Sequence, residues 1–130
     1  MKRIVLCDDE PHIVEGLRFL LRGPDRVVEV ARNGQQAVEL VTAAPTDLLI
    51  IDVMMPVMSG PEAVAAIRNT DNGRDLPVII LTAKGQAQDA VHAQEAWGAT
   101  VMAKPFVPHK LKAIVKDILE VGPSALHAFN

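Results

Sequence analysis

The chain has 130 residues, 49% of them hydrophobic and 22% charged, with a formal net charge of −3. That length suits one domain, the composition is globular, and no basic run is long enough to track a phosphate backbone. No apolar run reaches membrane-spanning length, the opening run is too short for a signal peptide, and a single cysteine excludes an internal disulfide. We therefore expect a soluble cytoplasmic protein with neither nucleic-acid nor membrane partners.

Arg3 to Cys7 is a β-prone run that Asp8-Asp9-Glu10 terminates. Pro11 suits the first turn of a helix, where its missing N–H costs nothing, and Ile13, Val14, Leu17, Leu20 and Leu21 form a one-sided stripe after it. Gly23-Pro24 stops that helix. Val27 to Ala31 reads as a second strand, and Asn33 caps a helix that buries Ala37, Val38, Leu40 and Val41. Leu48 to Ile51, four large apolar residues in a row, read as a strand buried on both faces, and Asp52 emerges at its end. Ser59-Gly60-Pro61-Glu62 is a capping box for a helix to Arg68, with Val64 and Ile67 facing inward. Asn72-Gly73 is a turn signal, and Pro77 to Leu81 is another buried strand, ending in Thr82-Ala83. An alanine-rich helix over residues 86–97 is stopped by Gly98. Ala99 to Ala103 is the last strand, closing at Lys104-Pro105-Phe106. The final helix carries Leu111, Ile114, Val115, Ile118 and Leu119 on one face. Lys110, Lys112, Lys116 and Asp117 occupy its solvated face, and Gly122-Pro123 ends it.

Five strands alternating with five helices predict an α/β domain, a parallel sheet with right-handed crossovers and helices on both faces. The domain is expected to span residues 1–122, leaving residues 123–130 as a C-terminal tail.

In open α/β sheets ligands sit beyond the carboxyl ends of the strands. Asp8 and Asp9 follow the first strand, Asp52 the third, Thr82 the fourth and Lys104 the fifth. Alone, Asp52 reads equally well as a turn residue. Four strands carrying such residues to one edge argue for a site. Carboxylates held together favour a bound cation, and oxygen ligands select Mg²⁺ or Mn²⁺. A cation beside Asp52, with Lys104 opposite and the Thr82 hydroxyl nearby, suits an incoming phosphoryl group. The carboxylate can itself be the acceptor, giving an aspartyl phosphate. Cys7 reads as a buried core residue. Trp97 reads as a cover on the sheet edge or an adjacent helix rather than a partner contact. The four histidines share no metal spacing.

These marks together resemble the receiver domain of two-component response regulators, the CheY-like superfamily, along the chain to about Val121. They are Asp8-Asp9, Asp52 ahead of Met55-Pro56 and Gly60, Thr82-Ala83, and Lys104-Pro105-Phe106. The resemblance implies a doubly wound five-stranded sheet of order 2-1-3-4-5. It implies that Asp52 accepts a phosphoryl group from a sensor histidine kinase or a histidine phosphotransfer protein. It also implies that Asp8, Asp9, Asp52 and the backbone carbonyl of Met54 hold Mg²⁺, that Thr82 and Lys104 contact the phosphoryl group, and that the Lys104–Pro105 bond is cis. The domain would catalyse its own phosphorylation and dephosphorylation, a switch more than a turnover enzyme, acting on an unidentified downstream target. Dimerisation through the last strand and helices is a further family expectation. Val101 stands where such domains usually carry Tyr or Phe. Met54 and Lys84, two residues beyond Asp52 and Thr82, are expected to set the lifetime of the aspartyl phosphate.

Three other readings compete. A phosphorylation-independent interaction module would keep the fold without needing the five site residues. A haloacid-dehalogenase-type phosphatase would want an Asp where Met54 stands. A flavodoxin-like flavin protein would need a phosphate loop rich in Ser, Thr and Gly, which is missing.

Overall fold

A computed structural model describes residues 1–83, 91, 94–104 and 107–121. Five parallel strands form one sheet: β1 Lys2–Cys7, β2 Arg26–Ala31, β3 Leu48–Asp52, β4 Val78–Thr82 and β5 Thr100–Ala103, in the order β2-β1-β3-β4-β5. Helices α1 Pro11–Leu21, α2 Gly34–Ala43 and α3 Gly60–Arg68 cross between strands. Residues 91 and 94–97 are helical and belong to α4, and α5 Pro108–Val121 closes the domain. This is the doubly wound architecture expected. Lys84, His92, Pro105, Phe106, His127, the start of the alanine-rich helix and the tail lie outside the described residues.

The strand period of two divides the core. Ile4, Leu6, Leu48, Ile50, Ile79 and Leu81 pack with α1 and α5. Val5, Cys7, Leu49, Ile51, Val78 and Ile80 pack with α2 and α3 on the opposite face. Every residue of β3 and β4 is buried, because helices cover both faces of the central strands. Asn33 caps α2 by accepting from Gln36 N–H, and the Ser59/Glu62 capping box at α3 is fully formed.

Two arginines tie loops to this frame. Arg3 donates to Glu29, to the carbonyls of Leu40 and Ala44, and to Thr46, fastening β1 to the end of α2. Half-buried Arg68 donates to the carbonyls of Trp97, Gly73 and Leu76 at 2.8, 2.8 and 2.6 Å, joining the end of α3 to the α4–β5 turn. Trp97 is half-buried against the α2–α3 side of the core, the covering role expected of it.

Candidate functional site

The sheet register converts four sequence-distant segments into one cluster. Cys7 lies opposite Ile51, so Asp8 and Asp52 emerge at the same level of neighbouring strands. Asp52 lies opposite Leu81 and Thr82 opposite Ala103, which brings Thr82 and Lys104 to the same edge. Gly60 completes the local shape: it sits against the Asp52 carbonyl, where a Cβ would fall 2.3 Å from the oxygen. Its N–H donates to the Val53 carbonyl at 2.8 Å, drawing the loop after β3 back onto the strand.

Asp8, Asp52 and Thr82 are buried. The Lys104 ammonium lies 3.2 Å from Asp52 Oδ1 and 3.4 Å from Asp8 Oδ2. The other Asp8 oxygen accepts from Glu10 N–H at 3.0 Å, which fixes the direction of that carboxylate. Thr82 donates to the Ala83 carbonyl at 3.2 Å.

Burial is the largest influence on Asp52 and raises its carboxyl above the ordinary range. Lys104 pulls against it, while the neighbouring Asp8 charge adds to the rise. For Lys104, burial disfavours the ammonium, but Asp8 and Asp52 outweigh it and hold the group above its usual value. Beneath the site, burial and the same carboxylates push the Cys7 thiol up to about 12, so it stays protonated and serves as core.

Carboxylate oxygens of Asp8, Glu10 and Asp52 lie within 4.8 Å of one another. This all-oxygen, three-carboxylate set fits a hard divalent cation. Glu10 was not singled out in the sequence. The available signal was its place as the third carboxylate of Asp8-Asp9-Glu10, with Pro11 starting α1 immediately after it. Asp9 is exposed and lies outside this trio, and Met54 is exposed on the loop after β3. His12 Nε2 lies 3.5 Å from Glu10, His109 is exposed, and Val101 is half-buried.

The loop carries one backbone outlier. Val57 has φ +70° and is 81% exposed, and Met58 N–H donates across it to the Pro56 carbonyl at 2.7 Å. This three-residue turn is strained for a β-branched side chain. It is held from both sides by the Gly60 contact and by Met58 packed over Gly34.

The sequence of residues 4–116 matches the family described as "Response regulator receiver domain". Response regulator MprA of Mycobacterium ulcerans is 34% identical over 117 residues, which are 90% of this chain and 50% of that protein. Sensor histidine kinase TmoS of Ectopseudomonas mendocina is 34% identical over 92% of this chain but only 12% of its own length. Among solved structures, the receiver domain of sensor histidine kinase PA1611 from Pseudomonas aeruginosa PAO1 superposes with a TM-score of 0.79. It is 30% identical, with 88% of this chain and 94% of that one covered, and holds magnesium in its active-site cleft. Chemotaxis protein CheY4 of Vibrio cholerae superposes with a TM-score of 0.80 at 29% identity, over 91% and 98% of the two chains. The chain spans about half the length of the response regulators it matches. With its sheet order and the charged cluster at its strand ends, it belongs to the response-regulator receiver domain family.

Proposed function

We propose that this receiver domain is a Mg²⁺-dependent phosphoacceptor switch in which Asp52 takes a phosphoryl group from a phosphohistidine. The observation that carries the reading is the buried Asp52 carboxylate with Lys104 at 3.2 Å, beside the Asp8–Glu10–Asp52 oxygen set. Asp52 Oδ attacks phosphorus, the P–N bond of the phosphohistidine breaks, and the histidine nitrogen keeps the electron pair. Lys104 neutralises charge that develops on the transferred group, and the Thr82 hydroxyl can turn from Ala83 to donate to it. A Mg²⁺ ion held by Asp8, Asp52 and the further candidates Asp9, Glu10 and the Met54 carbonyl would supply charge neutralisation. Hydrolysis reverses the modification: water attacks phosphorus, phosphate leaves and the Asp52 carboxylate is regenerated. Both steps use this chain's own groups, with no separate catalytic turnover.

The donor class fits the relatives, one of which is named a sensor histidine kinase. Among the described residues no helix is long and apolar enough to cross a membrane, which is compatible with a cytoplasmic site of action. Homodimerisation through β5 and the last helices belongs to the same proposal and is read by solution mass with and without a phosphoryl mimic. Val101, with no aromatic ring to couple to Thr82, favours one second reading, a module that binds partners without phosphorylation.

Intact mass after incubation with phosphoramidate, with and without Mg²⁺, separates the two. A Mg²⁺-dependent phosphoryl adduct that Asp52→Asn abolishes supports the switch. Intact Mg²⁺ binding with no adduct from phosphoramidate or from any histidine kinase tested favours the module.

A further inference from the structure

The outer face of α1 and the adjoining edge of β2 carry a second surface, remote from the phosphorylation chemistry. Glu15, Arg18, Phe19, Arg22, Arg26 and Val28 line a groove of about 410 Å³. Phe19 is 68% exposed, the one large exposed aromatic among the described residues. The Arg22 guanidinium carbon lies over its ring, 4.4 Å from the centroid, and the group has no carboxylate partner among the described residues. Arg26 is anchored at 3.3 Å to both Asp25 and the Leu21 carbonyl, which holds its stem along the groove. The lining therefore carries three guanidinium groups and one carboxylate, on a chain whose net charge is −3.

Part of this arrangement serves the fold. Positive charge near the C-terminal end of α1 complements the helix dipole. That role requires neither an exposed phenyl ring nor a guanidinium placed over it. Aromatic rings and arginines together are the composition of interaction hot spots. Among the described residues β2 is also the outermost strand of the sheet, paired with β1 on one side and with no strand on the other, an edge to which a strand can be added.

We propose that this α1–β2 groove docks an acidic, extended segment of a partner protein, which pairs with the open β2 edge. In this arrangement its carboxylates meet Arg22 and compete with Glu15 for Arg18, which pairs with it at 3.5 Å, and an apolar residue packs on Phe19 and Val28. Strand addition gives affinity through backbone hydrogen bonds, and the guanidinium groups select the charge.

The probe is a fluorescein-labelled peptide of alternating Glu and Val, followed by fluorescence anisotropy with the whole chain. Saturable binding is expected, weaker at high salt and at least about tenfold weaker for both Arg22→Glu and Phe19→Ala. Both variants should stay folded, Arg22→Glu melting a few degrees lower through its clash with the helix dipole, and both should keep phosphoramidate labelling of Asp52, since neither residue touches that site. Equal affinity for an alternating Glu and Ser peptide, or full displacement by inorganic pyrophosphate, would reduce the groove to a general anion patch and overturn the proposal. Self-association of the free chain that Arg22→Glu abolishes would assign the face to a second copy, also against it. So would wild-type affinity in either variant, or no saturable binding at all.

Discussion

Replacing Arg68 by Ala tests how much of this domain hangs on one side chain. Its guanidinium makes three hydrogen bonds, at 2.8, 2.8 and 2.6 Å, to the carbonyls of Trp97, Gly73 and Leu76. Bonds from a charged donor contribute about 1.5–3 kcal/mol each. Burial of the guanidinium, which lowers its pKa with Asp75 opposing, offsets part of that gain. The carbonyls are only partly buried, so water recovers some of the loss in the variant. We expect a net destabilisation of about 2–4 kcal/mol. For 130 residues the unfolding entropy is about 0.27 kcal/mol/K, so the melting temperature should fall by about 7–15 °C. Arg68→Lys keeps the charge but cannot span three carbonyls, and should fall between the two. The assay is thermal and urea unfolding followed by circular dichroism, with emission of Trp97, the single tryptophan, as a local probe. Arg68→Ala should shift that emission to the red before global unfolding, because the turn ahead of β5 loses its tether. A loss below about 0.5 kcal/mol with unchanged emission would refute the reasoning, leaving the bonds equivalent to those with water.

Three other outcomes test the phosphoacceptor edge. Gly60→Ala places a Cβ against the Asp52 carbonyl and should cost about 2 kcal/mol or more in urea unfolding; a neutral result would mean that the loop shifts freely. Val57→Asn keeps the left-handed backbone with a residue that tolerates it and gives up no packing, so stability should rise by about 1 kcal/mol; an unchanged urea midpoint would remove the strain argument. Because burial raises the Asp52 carboxyl in the folded state, its ionised form costs stability, and Asp52→Asn should be more stable than the parent at pH 7. That advantage should shrink as pH falls through the carboxylate range and the parent's Asp52 becomes protonated; a pH-independent difference would refute the assignment.

Much of the fold was legible because its signals are local. The four apolar residues Leu48 to Ile51 and the run ending at Leu81 could satisfy their surroundings only as strands covered on both faces. Asn33 and the Ser59/Glu62 pair announced helix starts through hydrogen bonds that span three residues. Asp8, Asp52, Thr82 and Lys104 were legible as a group because a parallel sheet sends every strand's carboxyl end to one edge. Arg3 and Arg68 were not, since nothing in their neighbours names the carbonyls they reach. Glu10 was hidden in the same way. Membership in the cluster depends on how the chain turns between β1 and α1, and Asp9, one residue earlier, remains outside it.

The sequence by itself determined the element order, the chirality of the crossovers and the edge on which chemistry could collect, because periodicity and strand direction are properties of the chain. Only the tertiary structure decided which charges touch. Strand register set Asp8 level with Asp52, and the β4–β5 pairing carried Lys104 to both carboxylates. Packing also bent the β3–α3 loop into a strained turn at Val57 and left Phe19 uncovered beside the β2 edge. Coulomb and contact energies fall away within a few ångströms, so they answer to distances that no spacing along the chain contains.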